Sequence, residues 1–328
     1  MSERSTPAQR GPGLPDGGST GSPMERRSTG DLVYRWATTI FAACIPLLLL
    51  LIAFEVVSAG WPTFREHGVG VLFDSTWDPN NGQFGVLPAV YGTLVSSFLA
   101  LLLATPLALG VAIFLSEFAP PWLRTPVAFL VDLLAAIPSV IYGLWGIFFL
   151  IPLLRETVVP VLKGIPLLGD TLFAGPNYGS SMLAAVLILT IMILPYTSSV
   201  AREVLLAVPR SQREAALALG ATKWETIRDA VVPYARSGII GGVILGLGRA
   251  LGETMAVTMV IGNVAKIEGS LLAPGYTMAS LIANEFGEAS GGHLSALMAV
   301  GGALFFITLV VNAIARWLVW QVSRERTA

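Results

Sequence analysis

Six stretches of this chain are apolar for about twenty residues or more, and each is long enough to cross a bilayer. A hydrocarbon core of about 30 Å needs roughly twenty residues at ~1.5 Å each. The runs fall at 33–59, 90–117, 126–153, 182–201, 237–262 and 294–320. In hydrocarbon only a helix satisfies every backbone group within one segment, so these runs predict helices. The composition agrees: 54% of residues are hydrophobic, 12% are charged and the mean hydropathy is +0.71. A soluble domain carries about twice that share of charge. The expected fold class is an all-α integral membrane protein with six transmembrane helices.

Charge sets the expected direction. Of the 20 Lys and Arg residues, fifteen lie in the N-terminal tail to Arg35, the 202–236 loop, the C-terminal end and at Arg124. Only Arg65, Arg155, Lys163 and Lys266 lie in the alternate loops. By the positive-inside rule both termini and the 202–236 loop are cytoplasmic, an N-in, C-in topology. Residues 1–30, rich in Gly, Pro, Ser and Arg, read as a disordered cytoplasmic tail, and 321–328 as a second one. The first run then acts as an uncleaved anchor within a segment 31–89, and the transport domain spans 90–320. Cys44 is the only cysteine, so no intrachain disulfide forms. His67 and His293 stand alone, so no metal site is expected, and no cofactor. The outer loops at 60–89 and 263–293 carry Trp61, Trp77, Asp74, Asp78, Glu268, Glu285 and Glu288. They read either as small lateral helices meeting an extracytoplasmic partner or as polar connectors with interfacial Trp anchors.

The loop at 209–236, PRSQREAALALGATKWETIRDAVVPYAR, has a clear local grammar. Ser211 and Glu214 have the spacing of a capping box, as do Thr222 and Glu225, so two short helices are expected. Gly220 between them supplies a left-handed C-terminal cap. Pro233 lacks an N–H and is expected to break the second helix before the fifth run. The pattern predicts a compact two-helix knob or a helical connector on the membrane surface.

Within the fifth run, Arg249 and Glu253 are the only ionisable residues from Ser237 to Asn263. Each costs at least ~2.5 kcal/mol at bilayer depth, so the pair calls for a function or a packing role. On an unbroken helix Gly238, Gly242, Gly246, Arg249 and Glu253 share one stripe, and small residues at that spacing let a neighbouring helix approach. Arg249 offers a fork of donors suited to a tetrahedral oxyanion, and Glu253 is placed to neutralise it when no anion is bound. The pair reads as part of a transport path or as a clamp to a neighbouring helix. Asp132, Glu117 and Glu55 are weaker candidates, the last two placed near span ends where snorkelling to water is ordinary. Thr190, Pro195 and Ser198 are expected to serve packing.

Glu214-Ala-Ala-Leu-Ala-Leu-Gly220, with Pro233 thirteen residues on, resembles the EAA loop of binding-protein-dependent ABC importer permeases. The resemblance implies a type I importer permease fold. It also implies that Glu214, Ala215, Ala216, Gly220 and Pro233 belong to a coupling loop that docks on an ATPase. The runs 240–258 and 261–263, with Ala136 to Gly143 and Ala283 to Phe286, are similar to segments of the PstC family of phosphate permeases. The sister PstA family carries similar motifs, and the long segment with Trp77 favours PstC. This implies a PstA-like permease as partner, two PstB-like ATPase subunits and a PstS-like phosphate-binding protein, with membrane lipid around and no nucleic acid. The chain has no G-x-x-x-x-G-K-[ST] phosphate loop, so it is expected to be a non-catalytic subunit driven by a partner's ATP hydrolysis. Alternatives are a permease for phosphonate, sulfate or molybdate, an ion-coupled carrier needing no ATPase, and a mainly regulatory role in reporting phosphate supply.

Overall fold

A computed structural model describes residues 29–324, and the expected tails at 1–30 and 321–328 lie mostly outside them. Two compact units divide between Leu51 and Ile52. Among the described residues six helices are long and apolar enough to span a membrane. They are α1 (Thr29–His67), α2 (Leu87–Phe118), α4 (Ser139–Lys163), α5 (Met182–Leu206), α7 (Lys223–Leu251) and α10 (Gly291–Arg324). Shorter helices α3 (Pro121–Ala136), α6 (Arg210–Ala218), α8 (Met255–Val260) and α9 (Met278–Glu285) join them. Helix α1 runs through both units, and α10 reaches Arg324, so the start of the expected second tail continues that helix.

Helix α5 is the centre of the second unit. Its Ile188, Leu189, Met192 and Ile193 are fully or almost fully buried. Ala100, Ala104, Ala108 and Ala112 of α2, one per turn, are each 0% exposed, and this alanine seam lets the two backbones come close. Thr190 bridges the seam, donating 2.7 Å to Val186 O and 3.4 Å to Ala100 O. The opposite side of α5 meets the glycines of α7. A Cβ on Gly242 would sit 3.1 Å from Val200 Cγ1, one on Gly246 would sit 2.6 Å from Thr197 Oγ1, and one on Gly238 would collide with Val204. The stripe therefore packs helices of one chain together.

Three local expectations are corrected. The third span does not run through 126–153. Pro138 drives Ile137 into extended backbone (φ −66°, ψ 130°), ending α3, and the span is α4 at 139–163. Pro233 does not break α7. A π-helical turn at Thr226–Val231 precedes it, with Val232 N–H reaching back five residues to Ile227 O, and this wider turn accommodates the proline within the continuous helix. The fifth run is not one helix. It stops at Leu251 and resumes as α8 at Met255.

At the end away from α6, the outer segments form a second small core. Val71, Val86, Ala89, Tyr276, Met278, Leu281, Leu297 and Val300 pack there. A hairpin pairs β1 (Trp77–Asp78) with β2 (Gln83–Phe84) beside it. Glu285 ties this core together: it accepts from Trp77 Nε1 at 2.9 Å and from Tyr276 Oη at 3.3 Å, and meets His293 Nε2 at 2.9 Å. Burial, more than the neighbouring Glu285, pushes the Tyr276 phenol up to about 12.

Candidate functional site

The break in the fifth span creates the site. Gly248 and Gly252 weaken the helix around Arg249, because glycine loses most backbone freedom in a helix. Beyond Leu251 the backbone leaves helical geometry at Gly252 (φ −95°, ψ 1°). Glu253 then turns its carboxylate onto the new helix, accepting from Ala256 N–H at 3.3 Å, where the N-terminal dipole of α8 favours an anion. Thr254 Oγ1 donates to Gly252 O at 3.2 Å. Helix α8 is held by α4: a Cβ on Gly143 would lie 3.2 Å from Ala256 Cα, and one on Gly146 would lie 2.7 Å from Val260 Cγ1. The glycines of α4 thus fix where the span restarts.

Arg249 and Glu253 line one cavity of about 440 Å³ with Tyr196, Val200, Leu245, Gly248 and Gly252. At about 30 Å³ per water it has room for a small anion with part of its hydration shell. The two charges do not form the expected ion pair. Ion pairs among the described residues are Arg213–Glu117, Arg228–Asp229 and His293–Glu285. An i,i+4 pair needs a continuous helix, and this helix ends between its members. Arg249 instead lays its guanidinium over the Tyr196 ring, 4.6 Å from the centroid, while its buried Nε has no hydrogen-bond partner. Glu253 is buried at 8% exposure. Tyr196 is anchored in turn, donating from Oη to Ala135 O at 3.1 Å, the last turn of α3. A cation with an unused donor, seated on a ring in a mid-span cavity, can receive an oxyanion. Tyr196 is the site residue that the sequence reading missed. An aromatic in an apolar run carries no periodic mark of what it faces.

The loop between α5 and α7 stands at the other end of the second unit from the outer core. Helix α6 starts at Arg210 with Pro209 before it, and the Ser211 capping box does not form. The bond is absent because the helix begins one residue before Ser211, which places that side chain inside the first turn. The Thr222 box is present: Thr222 N–H donates to Glu225 Oε2 at 2.8 Å and Glu225 N–H to Thr222 Oγ1 at 3.3 Å. Gly220 has φ +87°, the left-handed value a C-terminal cap needs. Glu214 and Ala215 are exposed and Ala216 half-buried. Leu217, Leu219 and Trp224 also project, with Leu219 89% exposed. Pro233 is half-buried within α7. Glu117, expected to snorkel, is only 11% exposed and binds Arg213 at 2.7 Å. Asp132 accepts from Ser199 Oγ at 3.1 Å.

Helices packed on a central fourth span, with a short-helix loop projecting at one end, are the architecture of an ABC importer permease. A bacterial alginate ABC transporter solved with its pentasaccharide-bound periplasmic protein superposes with a TM-score of 0.58 at 18% identity, over 88% of this chain and 96% of that one. The MetNI methionine ABC transporter in an inward-facing form gives 0.54 at 19% identity, over 72% and 95%. The chain belongs to the family described as binding-protein-dependent transport system inner membrane component, whose model matches residues 104–324. Among curated relatives it is 44% identical over 304 residues to the phosphate transport system permease protein PstC of Xylella fastidiosa (strain Temecula1), covering 92% of this chain and 94% of the relative. It is 45% identical over 311 residues to the PstC of Mesorhizobium japonicum, covering 93% and 94%. To PstC 2 of Mycobacterium tuberculosis it is 40% identical over 307 residues, covering 89% and 93%. It is thus a multi-pass inner-membrane permease subunit.

Proposed function

We propose that this chain forms, with a PstA-like permease, the path by which inorganic phosphate enters a bacterial cell. The observation that carries the reading is the Arg249 guanidinium, held on Tyr196 with a buried Nε free of any partner, in a cavity at the break of a membrane span. A guanidinium fork binds a tetrahedral oxyanion bidentately. Glu253 in the same cavity accepts a hydrogen bond from a phosphate that still carries a proton, which a fully deprotonated oxyanion cannot donate. The identity to relatives named as phosphate permeases, over nearly the whole chain, supports phosphate as the cargo.

The loop from α6 to α7 docks on one of two PstB-like ATPase subunits, which together supply the hydrolysis. Its exposed Leu217, Leu219 and Trp224 suit an apolar cleft, and a carrier without an ATPase has no use for such a knob. A PstS-like binding protein delivers phosphate at the opposite face. Both termini and this loop are cytoplasmic, as the distribution of Arg and Lys supports.

The test is uptake of labelled phosphate into proteoliposomes holding the whole transporter, with ATP and loaded binding protein. Unlabelled phosphate should compete, and sulfate, molybdate and a phosphonate should not. Stronger competition by one of those three would reassign the cargo. A chain that purifies from its own membrane without any ATPase would end the reading.

A further inference from the structure

One arginine joins the loop to the bundle, and its role rests on the loop being the ATPase-docking element. Arg213 lies in α6 yet its side chain turns away from solvent and is 20% exposed. Nη2 donates to Glu117 Oε1 at 2.7 Å and to Leu205 O at 2.8 Å. Nη1 donates to Val208 O at 2.5 Å, and Nε donates to Glu117 Oε1 at 3.3 Å. Four of its five N–H groups are therefore engaged. From α6 they reach the end of α2, 96 residues away in the chain, and the end of α5 with its linker.

Each acceptor has its own reason to be there. Leu205 O is one of the last carbonyls of α5, where it also accepts from Val208 N–H at 3.3 Å, and Val208 O follows in the linker; the last carbonyls of a helix have no donor from a further turn. A cation among them also complements the C-terminal dipole. Glu117 sits in a π-helical turn at Phe114–Phe118, where Ala119 N–H reaches back five residues to Phe114 O at 2.7 Å. The extra residue in that turn rotates the downstream side chains by about 100° relative to an unbroken α-helix. Glu117 lies within that turn, and its carboxylate meets the guanidinium there. The two-point fork resists both sliding and twisting, unlike an apolar contact.

We propose that Arg213 is the positioning residue that makes the coupling loop, span α2 and span α5 move as one body. The consequence reaches the anion site. Helices α2 and α5 share the alanine seam, and α5 carries Tyr196, nine residues or about 14 Å from Leu205. A displacement of α6 by a docked ATPase is thereby transmitted along α5 to the ring under Arg249. Elsewhere α6 rests on the π-helical turn Thr226–Val231, so its two faces link it to different spans.

The test uses the full transporter, with second permease, ATPase and binding protein, in proteoliposomes, and reads phosphate imported per ATP hydrolysed. Arg213→Gln is expected to lower that ratio at least about fivefold, the low end of ordinary coupling between sites. Glu117→Gln, which leaves the bonds to Leu205 and Val208 in place, should lower it less. The double variant should be no worse than Arg213→Gln alone, because both remove one linkage. Arg213→Lys should recover part of the ratio. A parental ratio in assembled Arg213→Gln, or losses that add in the double variant, would overturn the proposal. If Arg213→Gln fails to assemble, Glu117→Gln decides alone, and a parental ratio there overturns it. Absence of ATPase from the parental preparation would instead overturn the reading of the loop, and this inference with it.

Discussion

The Arg249 guanidinium rests on the face of Tyr196 at 4.6 Å and makes no ion pair with Glu253, four residues away. A helix break at Gly252 separates the two charges, and a ring holds the cation where a carboxylate was expected. A cation on a ring keeps its hydrogen-bond donors available, whereas a cation in a salt bridge has already used them. In the proposed transport role, an anion binds Arg249 without first breaking an internal ion pair.

Tyr196 should matter through its ring more than its hydroxyl. A cation–π contact contributes ~0.5–2 kcal/mol, so Tyr196→Leu is expected to raise the KM for phosphate uptake about two- to thirtyfold. Tyr196→Phe keeps the ring and loses the bond to Ala135 O, and should stay within about threefold of the parent. Equal KM values in the Leu variant and the parent would remove Tyr196 from the site.

Arg249 itself is expected to be indispensable. Arg249→Gln should lower uptake by about a hundredfold or more in a complex that still assembles, since a buried charged hydrogen bond to the anion contributes ~1.5–3 kcal/mol and the fork makes two. Arg249→Lys should retain part of the activity as a point charge. Full uptake with Gln would sink the transport role, and loss of assembly would point to a helix clamp.

The glycine stripe gives a stability test internal to the chain. A Cβ on Gly246 would meet Thr197 Oγ1 at 2.6 Å and Ile193 Cγ2 at 2.7 Å, while one on Gly241 meets nothing within 4 Å. Gly246→Ala should destabilise by ~1–3 kcal/mol through overpacking. Gly241→Ala should be neutral or up to ~1 kcal/mol stabilising. Thermal unfolding of the purified protein in detergent reads the difference, and a reversed order would contradict the packing of α7 on α5.

The two capping boxes separate in the same way. Thr222→Ala removes a formed cap and should destabilise the loop by ~1 kcal/mol, seen as faster hydrogen exchange from residue 223 onward. Ser211→Ala removes a hydroxyl that caps nothing and should leave exchange in α6 unchanged. Equal effects would show that both boxes form.

What the chain alone determined was set by local and bulk physics. Hydrocarbon demands helices, so apolar length was enough to place six spans, although Pro138 moved the third of them towards 139–163. Thr222, Glu225 and Gly220 declared their turns because caps are contacts between residues three or four apart. Arg249 and Glu253 stood out because charge is rare at that depth. Tertiary structure decided what those residues do. Whether Pro233 breaks a helix depends on the turn before it, and the start of α6 left Ser211 nothing to cap. Glu117 found Arg213 across 96 residues, and Arg249 found Tyr196 across a helix interface. Such pairings come from how packed helices turn their faces to one another, and no sequence period encodes that rotation. The alanine seam of α2, the glycines of α7 and the break at Gly252 set it together.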